Sequence, residues 1–246
     1  MKKVLSFVLT SFIIGNVVAW FTGAAPIEFP KQAYNKDAQM NMAALKQSLK
    51  TEPEDLDLLI EIGSQYTLHN DIALAADYLG KAVELAPNDP LAKAWYNANR
   101  AKESGAMLDL SMGLYKLYKL NDSLKNISQA VIAAPNDLSV RLIRMATFAN
   151  IGDINPLFDQ VFEDEKWFTS LLDKQGQYIP DEVKSQFYLS MAQAYLFKGD
   201  AVDANKIQTY LELYKAIPEK KASDLEHFSK MEADFISIHD GERGAA

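Results

Sequence analysis

The chain has 246 residues, 48% hydrophobic and 24% charged, with a formal net charge of -8 at pH 7 and a sequence pI near 5.0. That composition suits a water-soluble globular body and excludes both wholesale disorder and a polytopic membrane protein. Lys and Arg are scattered along an acidic chain, which leaves no electrostatic footprint for nucleic acid. The absence of cysteine removes disulfides, thiolate metal sites, thiol nucleophiles and a lipid-modified cysteine together.

Lys2 and Lys3 precede an uncharged run from Val4 to Pro26, and the next charge is Glu28. Residues 1–30 read as an export segment in one of two forms. A cleaved signal would use its basic start, its apolar core and the small residues Val17 and Ala19, with the cut before Trp20. An uncleaved anchor from Val4 to Ala25 would make about 33 Å of helix, enough to cross a hydrocarbon core, with Trp20 and Phe21 as interfacial anchors. Under both forms Lys2 and Lys3 stay inside and the body lies outside. The expected location is therefore the bacterial inner membrane, single-pass with the C-terminal domain in the periplasm, or the periplasm after signal cleavage.

From Lys36 onward apolar residues recur at helical spacing, and HND, PND, GD and NP interrupt them as turns. Met42, Leu45 and Leu49 form one stripe; Leu56, Leu59, Ile60, Gly63 and Tyr66 the next; Leu74, Tyr78, Ala82 and Leu85 another. Asp89 before Pro90, Asn155 before Pro156, Pro180, and Ser223 with Glu226 mark helix starts. The expected fold is all-α, a succession of helical hairpins over residues 31–238, with a capping helix over 223–238 and a disordered tail over 239–246.

The segment LGKAVELAPND (79–89) recurs as ISQAVIAAPND (127–137). Residues 56–89 also carry Leu59, Ile62, Gly63, Tyr66, Ala75, Leu79, Ala82 and Pro87 at the spacing of a 34-residue helical repeat. Gly63, Ala75 and Ala82 are small where two helices approach closely, Tyr66 fills the space between them, and Pro87 ends the second helix. On these residues the chain resembles the tetratricopeptide-repeat family, with the clearest units at 56–89, 104–137 and 185–218. In the second unit the first helix is expected around Ala106 to Leu120, with Pro90 to Glu103 as an extra helix or part of one bent near Gly105. In the fourth, Gly199 and Asp200 make the turn. The resemblance implies a right-handed superhelix of antiparallel pairs, about ten helices in all.

A narrower resemblance links AALKQSLKTEPEDLDLLIEIGSQY, behind a membrane segment, to membrane-anchored periplasmic tetratricopeptide factors of cytochrome c maturation.

No HExxH, P-loop or GxGxxG occurs, and His69, His227 and His239 are isolated, so no catalytic, cofactor or metal site is expected. The cluster His239, Asp240, Glu242 reads as solvated tail, Glu163, Asp164 and Glu165 as a solvated turn, and Glu52 to Asp57 as dipole compensation at a helix start. Trp167 and Phe168 read as core. The resemblance places ligand contacts on the first helix of each pair, in the concave groove. Here those positions are Asp57, Ile60, Ser64 and Thr67 in the first repeat, and Gln186, Leu189, Gln193 and Leu196 in the fourth. The expected function is a non-catalytic scaffold or adaptor that binds protein partners in the cell envelope. Its alternatives are a maturation factor presenting apocytochrome, or a self-assembling structural protein.

Overall fold

In the computed structural model, which describes residues 2–198, 203–220 and 222–244, the chain is built from helices, and no strand occurs among the described residues. It divides into two compact units, Met1–Ala133 and Ala134–Ala246.

The first unit opens with α1 (Lys2–Ala19), which runs into a wider helical turn at Trp20–Ala24 and breaks where Thr22 leaves helical geometry and Gly23 takes φ 114. The stretch Val4–Ala24 has mean hydropathy 2.0, is nowhere buried, and is long and apolar enough to cross a membrane, a description a signal sequence also meets. An extended segment follows, and Asn35 accepts the Ala38 N–H at 2.8 Å to start α2 (Lys36–Thr51).

Next come α3 (Leu56–Leu68), capped by Asp55, and α4 (Ile72–Leu85). They pack as closely as their small residues suggest. A Cβ on Gly63 would stand 2.5 Å from Leu79 Cγ, so only glycine admits the Leu79 side chain there. Met42, Ile62, Tyr66, Ala75 and Leu79 form one buried cluster, and Leu59, Ile60, Ala82 and Ala92 a second.

Asp89 then caps α5 (Pro90–Ala106), its carboxylate accepting the Ala92 N–H at 2.7 Å with Pro90 in the first turn. This corrects the expectation for the second repeat, 104–137. Pro90 to Ala106 is itself the first helix of a pair, packed on α6 (Leu114–Ala133), and the stretch around Ala106 to Leu120 is loop and helix start. Longer helices and the loop at 107–113 account for the 48-residue spacing of the two matching segments, against 34 for the single repeat.

The second unit holds α7 (Leu138–Ile151), capped by Asp137, α8 (Gln160–Gln175), α9 (Asp181–Leu196) after Pro180, α10 (Ala204–Lys215), capped by Asp203, and α11 (Ala222–Gly244). Helix α8 starts later than Asn155–Pro156 suggests, because Asn155 Oδ1 takes the Leu157 N–H at 2.8 Å and closes a turn before it. α9 carries the core of this unit: Phe187 stacks on Phe168 with centroids 5.1 Å apart, and α7, α10 and α11 all pack against α9.

Ser223 lies in the first turn of α11, and its side chain, like those of His239, Asp240 and Glu242, is outside the described residues, as are Gly199 and Asp200 altogether. The helix continues to Gly244, so residues 239–244, expected as disordered tail, extend α11.

Candidate functional site

The groove positions of α3 do not form an open surface. Asp57 is exposed, but Ile60, Ser64 and Thr67 are buried. Ile60 packs against Ala92 of α5. Thr67 Oγ1 donates to the Gly63 carbonyl at 3.0 Å and faces Asn99 Oδ1 at 3.4 Å, while Asn99 Nδ2 donates to the Ile72 carbonyl. Ser64 turns its hydroxyl back to the Glu61 carbonyl. Helix α5 therefore covers the face expected to receive a ligand.

The C-terminal ends of α3 and α5 carry a different arrangement. Residues 26–35 run extended across them, held mainly through backbone groups. The Ile27 N–H donates to the Gly105 carbonyl at 2.9 Å, the Gln32 N–H to the His69 carbonyl at 3.0 Å, and Asn70 Nδ2 to the Pro30 carbonyl at 2.9 Å. Lys31 pairs with Asp71 at 2.9 Å, and the Tyr34 ring lies flat on His69 with centroids 3.7 Å apart. Burial pushes the Tyr34 hydroxyl up to about 12. Behind this segment Lys102 Nζ donates to the Thr67 carbonyl and to Asn70 Oδ1, closing the end of α3. Burial pushes that ammonium down to about 8.

In the second unit Gln186 is half-buried, whereas Leu189, Gln193 and Leu196 are buried. Gln193 Oε1 lies 3.1 Å from His227 Nε2 on α11, so the C-terminal helix covers this part of α9. Burial and the neighbouring Lys230 push the His227 imidazole down. The groove positions of both repeats are thus split between open ends, Asp57 and Gln186, and interior positions sealed by other parts of the same chain.

No family model, curated protein or solved structure matches the chain. Among the described residues no group of three or more His, Asp or Glu is placed to hold a metal ion.

The acidic triplet lies inside α8 and not in a turn, and of its three carboxylates only Glu163 is exposed. Asp164 is fully buried and accepts from Arg144 Nε at 2.8 Å, Arg144 Nη2 at 2.7 Å and Arg141 Nη1 at 2.6 Å. Glu165 accepts from the hydroxyls of Tyr195 at 2.8 Å and Tyr210 at 2.6 Å. Burial, reinforced by the Glu165 carboxylate, pushes both phenols up. Sequence reasoning missed this network. Its signal was Arg141 and Arg144 at helical spacing on the helix before an acidic triplet. Every group in it is partnered, which makes it a staple between helices.

Proposed function

We propose that the protein is a non-catalytic scaffold of the tetratricopeptide type, held at a membrane by its N-terminal helix with its body on the non-cytoplasmic side, and that it binds segments of partner proteins on its helix pairs. One observation carries this reading. The chain lays an extended segment of its own, residues 26–35, along the ends of α3 and α5 through backbone hydrogen bonds that any sequence can supply. A surface that holds one extended segment by its main chain is chemically suited to hold another. The partner contacts would begin at exposed Asp57, at the start of α3, and at half-buried Gln186, and along α3 they would reach its C-terminal end only when residues 26–35 give way.

A photo-reactive amino acid placed at Asp57 and Gln186 of the full chain, in its own cells, tests the proposal. Discrete cross-links from each position to a protein partner, identified by mass spectrometry and absent when the probe replaces Ile132, are the expected result. Cross-links confined to lipid, or none at either position, would overturn it.

A further inference from the structure

An apolar patch lies outside the helix-pair cores of the first unit. Leu108, Leu110, Leu114, Tyr115, Leu117 and Tyr118 are all exposed, Leu110 by 62% and Leu114 by 69%. They follow one another through the loop 107–113 into the first turns of α6. Outside the stretch Val4–Ala24 and this patch, exposed apolar residues such as Ile132 stand apart and need no explanation, but a contiguous run marks an interaction surface.

The patch adjoins the membrane-type helix. The Met112 N–H donates to Asn16 Oδ1 at 3.2 Å, and the Met112 side chain fills the place where a Cβ on Gly15 would stand, 2.6 Å from its Cε. Gly113, at φ 84, brings the loop so close to the emerging chain that a Cβ there would stand 3.0 Å from Ala24 Cβ. Lys116 Nζ donates to the Ala25 carbonyl at 2.7 Å and the Ala24 carbonyl at 3.3 Å. The loop thus grips α1 at its C-terminal end.

We propose that the loop 107–113 and the first turns of α6 sit in the lipid bilayer, in the leaflet from which α1 emerges, as a second apolar contact beside the span. The inference rests on α1 being retained as a membrane span. Depth follows from the contact with Asn16. That residue precedes Phe21 by about five positions, or roughly 8 Å of helix. With Trp20 and Phe21 at the interface, the backbone of Met112 reaches the same depth, within the 5–10 Å or so typical of interfacial apolar segments. Tyr115 and Tyr118, whose rings stack 6.5 Å apart, supply the aromatic side chains favoured at that level.

Charge makes the proposal specific. Asp109 accepts the Ser111 and Lys116 N–H groups, Lys116 is turned onto backbone carbonyls, and Lys119 pairs with Glu103 at 2.8 Å. None of these charges is directed at a headgroup, so apolar area holds the contact and anionic lipid adds nothing to it.

The cysteine-free sequence allows a direct test. Leu110→Cys, Tyr118→Cys, Val8→Cys on α1 and Ile132→Cys as control are each labelled with nitrobenzoxadiazole in the full chain, reconstituted in phosphatidylcholine vesicles and checked for helicity. Quenching by doxyl-labelled lipid is then compared with quenching by aqueous iodide. The expected result is strong quenching by doxyl lipid, with protection from iodide, at Leu110, Tyr118 and Val8, and the reverse at Ile132. The pattern should survive about 0.5 M salt, which screens exposed charges beyond a few ångströms, and the addition of phosphatidylglycerol. A lipid-quenched label at Val8 with iodide-quenched labels at Leu110 and Tyr118 would overturn this inference and leave the span intact. Iodide quenching at Val8 would remove the span, and the inference with it. Labels at Leu110 and Tyr118 shielded from both quenchers would show a second copy covering the patch and would equally overturn the lipid contact.

Discussion

Asp164 has no exposed surface and takes three hydrogen bonds from two guanidinium groups, so its charge is matched only while both arginines stay in place. Asp164→Asn keeps the shape but leaves Arg144 buried beside a neutral amide that cannot accept the same fork. Breaking a buried pair from one side costs about 3–5 kcal/mol, and urea denaturation should show a loss of that order. A change below about 1 kcal/mol would mean that the pair is far better solvated than its burial indicates. These residues also mark a limit of sequence reading. Glu163, Asp164 and Glu165 look like a solvated turn because three adjacent carboxylates are normally exposed. Glu163 is indeed exposed, but the burial of Asp164 and Glu165 depends on Arg141, Arg144, Tyr195 and Tyr210, which three other helices bring to α8. The burial of Thr67 and Gln193 is hidden for the same reason. Their partners, Asn99 on α5 and His227 on α11, lie more than 30 positions away, and a repeat pattern does not describe them.

At the level of helix pairs the sequence was far more legible. Gly63, Ala75, Leu79 and Ala82 fall where α3 meets α4, and their spacing alone located the contact. Gly63→Leu should destabilise the protein by more than about 2 kcal/mol, because a branched side chain must enter the volume that Leu79 already fills. An unchanged chemical-denaturation midpoint would show that the two helices can part without cost. The second pair was harder to place. Its matching segment, 127–137, was visible, but α5 was mistaken for an insertion because the loop before α6 is long and apolar, a composition that imitates helix. Asp89, marked in the sequence by Pro90 after it, starts α5 as expected, and Asp55 and Asp137 cap α3 and α7 in the same way. Each bonds the backbone N–H three residues on, an interaction that needs no distant partner.

For the molecule as a whole, pH should act on the first unit through Lys102. Folded, this lysine loses its proton near 8, whereas in the unfolded chain it keeps it to about 10.4. Between those values the unfolded state holds more protons, so stability rises with pH; Lys116, pushed down by burial, acts in the same direction. Above about 10 the raised phenols reverse the trend, since they stay protonated in the fold while free tyrosine ionises. Denaturation followed through Trp95, with Trp20 and Trp167 replaced by Phe, should show a midpoint that climbs from about pH 7.5 to about 9.5, with a smaller climb in Lys102→Met. A flat or falling midpoint would place the ammonium in water. The bond between Met112 and Asn16 carries a consequence for how the chain is made. It joins positions 96 apart, so the apolar helix is synthesised long before the loop that satisfies its one side-chain amide exists. Until then the helix holds Asn16 by its own carbonyl at Phe12 alone. Final seating therefore belongs to a late stage of synthesis, after residues up to Lys116 have emerged and folded back, and a ribosome stalled before that point would display the apolar helix without its contact to the loop.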